Sequence, residues 1–235
     1  MKTLNLNQSI RWIKTSDSPL AKQIFKSIKA IKSFELPAPK VLTYPMRLIY
    51  KLLTISSEFI SRILWCTPIF KARLNHCGKK LNLYGGIPFI SGPLTIEVGD
   101  NCRISGQTTF SGRSLSDSPT LLIGNNVDVG WMTTIAVGQK VLLGDNVRIA
   151  GRAFLAGYPG HPINAEDRAK GLPDLEDQIG DIILEDDVWL ATGVSVMAGV
   201  IIGKGTIVAA GSVVTKDLPA GVLAAGVPAK VVRQL

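Results

Sequence analysis

The chain predicts an all-β body, a three-sided parallel β-solenoid over about residues 76–235, preceded by a basic helical segment over residues 1–75. Three observations predict it. Aliphatic residues recur every six positions, glycines (23) and prolines (13) are spread along the whole chain, and the excess positive charge is confined to the first third.

The helical segment comes first. Ser18 followed by Pro19 reads as an N-cap with a first-turn proline. Leu20, Ile24, Ile28 and Ile31 then recur at helical spacing, with Lys22, Lys26, Lys29 and Lys32 largely on the other side, until Pro37 and Pro39 break the run. A second helix is expected from about Met46 to Trp65. Arg47, Lys51, Glu58 and Arg62 form one stripe, and Leu48, Leu52, Ile55, Phe59 and Ile63 the opposite face. Residues 1–80 hold fifteen Lys and Arg against three Asp and Glu, an excess of +12 in a chain whose net charge is +8. Charges interrupt the second helix too often for a membrane span, which needs ~20 mainly apolar residues. Two readings fit the segment: amphipathic helices lying on an anionic membrane surface, or helices packed on their own solenoid or on a neighbouring subunit.

In the second region Val98, Ile104 and Phe110 form one run of hexads. Ile123, Val129 and Ile135 form the next, followed by Leu143, Ile149 and Leu155. Leu184, Leu190, Val196, Ile202, Val208 and Val214 continue it without interruption. A six-residue period is neither a helix face nor a simple alternating strand. It suits a short strand plus a corner, repeated three times per coil, with the aliphatic side chain inward and a small residue four positions later. Coils then stack at the ~4.8 Å spacing of paired strands and bury one another's aliphatic columns. Breaks between runs mark loops leaving the body, the longest an excursion at about residues 157–181.

Composition excludes several classes. Apolar residues make up 46% and charged residues 19%, against general disorder. Cys66, Cys77 and Cys102 are odd in number and have no repeated spacing, so they read as reduced residues rather than a disulfide frame or zinc cluster. No cleaved signal peptide is read at the start, and a cytoplasmic place is expected, with a peripheral position on the inner face of the plasma membrane as one option. The basic excess lies on helices with apolar faces and no nucleic-acid motif accompanies it, so no nucleic-acid partner is expected. Two histidines, His76 and His161, are too few for a three-histidine metal site of the carbonic anhydrase type, and no metal is expected.

The run from Gly160 to Gly171, with His161, Pro162 and Arg168, resembles the loop that carries the catalytic histidine in galactoside and maltose acetyltransferases. Val188-Trp-Leu-Ala-Thr192, Ala210-Gly-Ser-Val-Val-Thr-Lys-Asp217 and Ala225-Gly-Val-Pro-Ala-Lys-Val-Val-Arg233 follow in the same order. On these motifs the chain resembles the hexapeptide-repeat acyltransferases. The resemblance implies a left-handed β-helix, a trimer, and acetyl-CoA as acyl donor held between adjacent subunits. It also implies His161 as catalytic base. Chemistry agrees with that choice, since an imidazole of ordinary pKa ~6.5 can take the proton of a hydroxyl attacking a thioester near neutral pH. His76, among Arg73, Lys79 and Lys80, reads as a surface or interface residue.

Matched residue by residue, Trp189 and Thr192 are expected at the pantetheine and thioester end and Ala210 along the arm. Thr215 and Lys216 fall near the nucleotide, and Lys230 and Arg233 near its phosphates, where cations suit the anionic donor. The alternative for these positions is ordinary corner packing or a solvated tail. There is one departure: where the family's sugar enzymes carry an acceptor-contacting asparagine, this chain has Gly130-Trp131. Trp131 is therefore either an acceptor contact or a buried or interface tryptophan. The resemblance is closest to acetyltransferases of capsule and exopolysaccharide biosynthesis, and implies O-acetylation of a surface polysaccharide, lipopolysaccharide or lipid-linked precursor. An N-acetyltransferase on an amino sugar or another small acceptor, and a non-catalytic trimeric scaffold, are the alternatives.

Overall fold

A computed structural model describes residues 6–235. The described chain divides into two compact units between Leu53 and Thr54. In the first unit, α1 (Leu6–Thr15) precedes α2 (Pro19–Lys32), which starts at the expected Ser18–Pro19 junction. The next helix, α3 (Lys40–Ser61), begins six residues before the expected start and contains Pro45. The carbonyl of Pro39 accepts the first bonds, from the amides of Leu42 and Thr43. Pro45 therefore forfeits one helical hydrogen bond without ending the helix. A five-residue π-helical stretch, Arg62–Cys66, follows α3 and leads into α4 (Thr67–Lys71). There Cys66 and Phe70 are buried against the first coil of the solenoid.

The second unit is a parallel β-solenoid of about seven turns that fits a left-handed β-helix. Six parallel strands make face A, from His76–Cys77 to Ile201–Ile202, and six make face C, from Phe89–Ser91 to Val213–Val214. Face B runs from Asn82–Tyr84 through Ile207–Val208 to Val222–Gly226. It ends with an antiparallel strand, Ala229–Gln234, that turns the chain back. Each strand is only two to six residues long, so its backbone groups find partners in the coils above and below rather than within their own turn.

All fifteen hexad residues of the predicted series are buried. They sort into three columns: Val98, Ile123, Leu143, Leu184 and Ile202 on face A; Ile104, Val129, Ile149, Leu190 and Val208 on face B; Phe110, Ile135, Leu155, Val196 and Val214 on face C. The breaks in the rhythm, after Phe110, after Ile135 and after Leu155, all fall at the corner between faces C and A. Extra residues thus leave the body along one edge.

The corner between faces A and B is built differently. Asn101, Asn126, Asn146 and Asp187 take positive φ there, a conformation that short polar side chains tolerate. Their neighbours form a ladder. Asp145 accepts from the Asn125 amide at 2.6 Å, and Asp186 accepts from the Asp145 amide at 2.9 Å. Asn126 donates to Asn146, and Asn146 to Asp187, at 2.8 and 2.9 Å. This is the physical content of the repeated Gly-Asp-Asn and Asp-Asp sequences: side chains at the tight corner supply the acceptors that the preceding coil's amides require.

Candidate active site

His161 lies on the excursion that leaves the C–A corner after Ala156 and rejoins face A at Ile182. Its side chain is exposed, whereas Pro162 beside it is buried. The excursion is held at several points. Tyr158 hydroxyl and Ser111 Oγ are 3.1 Å apart, which fastens its start to face C. Asn164 caps α5 (Ala165–Ala169), accepting from the amides of Glu166 and Asp167 at 2.8 and 3.1 Å. Arg168 reaches back from that helix to the carbonyls of Pro162 and Ile163.

The firmest fastening is a buried ion pair. Arg113 opens the earlier and shorter excursion from the same corner, two coils before His161. Its Nε donates to Asp174 Oδ1 at 2.8 Å, and a second nitrogen donates to the Asp174 carbonyl at 3.1 Å. The third donates to Glu176 at 2.8 Å. Arg113 and Asp174 side chains are 3% and 5% exposed, while Glu176 is open to solvent at 70%. Burial works to lower the guanidinium pKa, but hydrogen bonds and charge from Asp174 and Glu176 outweigh it and hold it above its ordinary value. A concavity of about 430 Å³ lies between the two excursions, lined by Leu115 to Ser118, Gln139 and Glu176.

Donor-site candidates fall on other parts of the surface. Trp189 is exposed on face B, in register with Ile207, then Leu223, then Arg233 on successive strands. Thr192 and Ala210 stack at the B–C corner, where the Gly211 amide donates to the Thr192 carbonyl at 2.9 Å. Thr215 and Lys216 sit exposed at the C–A corner, and Lys230 lies on the last strand opposite Ala225. Within one chain, then, Trp189 and Arg233 share a row and Thr192 and Ala210 share a corner. His161, Thr215 and Lys216 lie along a different edge.

Trp131 belongs to the B–C corner, in the column that continues through Gly151 to Thr192 and Ala210. It is 43% exposed, so the buried alternative is excluded for the single chain. Arg152 lies over its ring at 5.1 Å. Gly151 leaves room for the ring: a Cβ there would lie 2.7 Å from the indole nitrogen, so the indole would have to shift. His76 is exposed on the first strand of face A, away from the His161 excursion. Among the described residues no three His, Cys, Asp or Glu side chains converge as a metal-binding group.

Sequence reasoning missed Arg113, Tyr158, Arg152 and Asp174. Arg113 and Asp174 look like ordinary loop charges 61 residues apart. The usable signal was that both fall in breaks of the hexad rhythm, and such breaks stack when they occur at the same corner.

Comparison with known proteins agrees with this architecture. Residues 181–216 match the family model described as bacterial transferase hexapeptide (six repeats). The chain is 36% identical over 138 residues to a galactoside O-acetyltransferase of Escherichia coli, covering 59% of this chain and 63% of that protein. It is 42% identical over 118 residues to a polysialic acid O-acetyltransferase, also of Escherichia coli, covering 47% and 37%. The chain thus spans less than two thirds of the length of the relatives it matches. In fold it is similar to AntD, an N-acyltransferase from Bacillus cereus solved with dTDP and 3-hydroxybutyryl-CoA. The TM-score is 0.55 at 18% identity, over 72% of this chain and 87% of that one. The hexads in three stacked columns run through residues 181–216, the segment matched by the family model, so in repeat and fold the chain is similar to the hexapeptide-repeat transferases.

Proposed function

We propose that the protein transfers an acetyl group from acetyl-CoA to a sugar hydroxyl of a surface polysaccharide, lipopolysaccharide or lipid-linked precursor, with His161 as general base. The observation that carries this reading is the row on face B beside the Thr192–Ala210 corner, in which exposed Trp189 and Arg233 flank the half-buried Ile207 and Leu223. It offers an aromatic and aliphatic track ending in a cation, which suits a pantetheine arm and its phosphates. The related galactoside and polysialic acid enzymes are O-acetyltransferases by name, which supports a hydroxyl acceptor.

In this reading the imidazole of His161 takes the hydroxyl proton as the sugar oxygen bonds to the thioester carbonyl carbon. A backbone amide stabilises the tetrahedral oxyanion. Collapse breaks the carbon–sulfur bond, and the departing CoA thiolate takes the proton from the imidazolium. No acyl-enzyme is needed. The separation of His161 from Trp189 and Thr192 within one chain supports a homotrimer, in which the excursion of one copy meets the donor row of its neighbour. Trp131, with Arg152 over its ring, is then the acceptor contact at the same corner as Thr192.

The test is acetyl transfer from acetyl-CoA to isolated glycans, followed by mass spectrometry. Trp189→Ala is expected to raise KM for acetyl-CoA about tenfold, equivalent to ~1.4 kcal/mol of lost donor binding, with a smaller change in kcat. An unchanged KM would remove Trp189 from the donor site, and no acetylated product from any glycan would sink the proposed reaction.

The N-terminal helices give this reading a location. Leu48, Leu52, Ile55 and Phe59 are all more than half exposed on α3, in the segment that carries the +12 excess. No described helix is long and apolar enough to cross a membrane. The helices would hold the enzyme on an anionic membrane surface, close to a lipid-linked acceptor. The full chain is expected to float with anionic lipid vesicles and to be released at high salt. Failure to bind any vesicle would leave these faces to a neighbouring subunit.

A further inference from the structure

The buried Arg113–Asp174 pair joins two excursions that the coil geometry stacks on one corner. Its second oxygen has a further partner: Asp174 Oδ2 accepts from the Gly160 amide at 3.3 Å. Gly160 immediately precedes His161 and has a φ of +77°, a conformation that a side chain would strain. On the far side of His161, Arg168 holds the carbonyls of Pro162 and Ile163. The candidate base is therefore bracketed, on one side by a local helix and on the other by a carboxylate anchored 61 residues away.

A buried ion pair is a poor device for stability alone, because desolvation of both charges offsets most of their attraction, and apolar replacements often do as well. What the pair supplies here is direction. The bidentate fork of Arg113, bonded to both the carboxylate and the carbonyl of Asp174, leaves Asp174 one orientation in which to meet Gly160. We propose that Arg113 and Asp174 are positioning residues that set the His161 imidazole at its reacting geometry. The proposal rests on the reading of His161 as the base.

The test compares the full-length wild type with Arg113→Met/Asp174→Leu, which removes both buried charges together and orphans neither. Glu176→Gln, at the exposed rim of the cluster, is the control. In the double variant kcat is expected to fall about a hundredfold, the scale of a ~1 Å misplacement. KM for acetyl-CoA is expected to change less than about threefold, because the donor row lies on face B. Amide exchange in a peptide covering Tyr158–Ile163 is expected to accelerate about tenfold, while the coil strand Ser195–Met197 stays protected.

Wild-type kcat in the folded double variant, or unchanged exchange at Tyr158–Ile163, overturns the proposal. If the double variant does not fold, the near-isosteric Asp174→Asn carries the same measurements, with the same outcomes deciding. Full turnover in His161→Ala would instead overturn the reading of the base and, with it, the catalytic purpose of the clamp. The exchange measurement needs no substrate, so it still decides whether Asp174 holds Gly160.

Discussion

His161→Ala is expected to lower kcat by about 10²–10⁴-fold, the usual contribution of a positioned general base, while KM for acetyl-CoA changes little. The selectivity of the effect is what makes the result informative. His161 is exposed, so its truncation removes no buried packing, and stability should stay within about 0.5 kcal/mol of wild type. Steady-state kinetics at saturating acetyl-CoA, with a melting curve for the same preparation, separates lost chemistry from lost fold. Retained turnover would exclude this side chain as the base, whatever the family resemblance implies.

The second large effect belongs to the scaffold. Phe110→Ala is expected to destabilise the solenoid by about 3–5 kcal/mol. Phe110 is fully buried on face C, stacked between Ile90 and Ile135 of the coils on either side. Because each coil contacts only its neighbours, the cavity weakens two coil interfaces at once. Phe89 supplies the control. It lies on the adjacent strand of the same face but points outward and is 64% exposed, so Phe89→Ala should cost no more than about 0.5 kcal/mol. Chemical denaturation of the two variants measures the difference. Equal losses would contradict the inward and outward assignment of face C.

The scaffold was legible because its physics is local and repeated. A residue that must point inward on every strand leaves an aliphatic mark every six positions, and the marks at Val98, Ile104 and Phe110 name three faces in turn. The start of α2 at Pro19 was legible for a similar reason, since a first-turn proline acts within one turn; Ser18 takes the N-cap position, but its side chain makes no capping hydrogen bond. α1 and the early start of α3 were not. Pro45 reads as a boundary in sequence, yet α3 continues through it despite the missing hydrogen bond and the ring's crowding of the preceding turn. Propensity alone does not show that the Pro39 carbonyl opens the helix six residues earlier.

The candidate site divides along the same line. His161 and the motif residues Trp189, Thr192, Ala210, Thr215, Lys216, Lys230 and Arg233 could be named from sequence, because each belongs to a short contiguous pattern. The sequence by itself also determined the six-residue period, the basic segment and the break that carries the histidine. Only the tertiary structure decided that the breaks after Phe110 and Leu155 share one corner. It alone brought Arg113 to Asp174 and Gly160, aligned Trp189 with Arg233, and put Trp131 in the column of Thr192. The physical reason is that coil stacking converts separations of tens of residues into neighbours ~4.8 Å apart. Which residues become neighbours depends on where insertions leave the coil, and a single sequence shows the length of an insertion without showing what it meets.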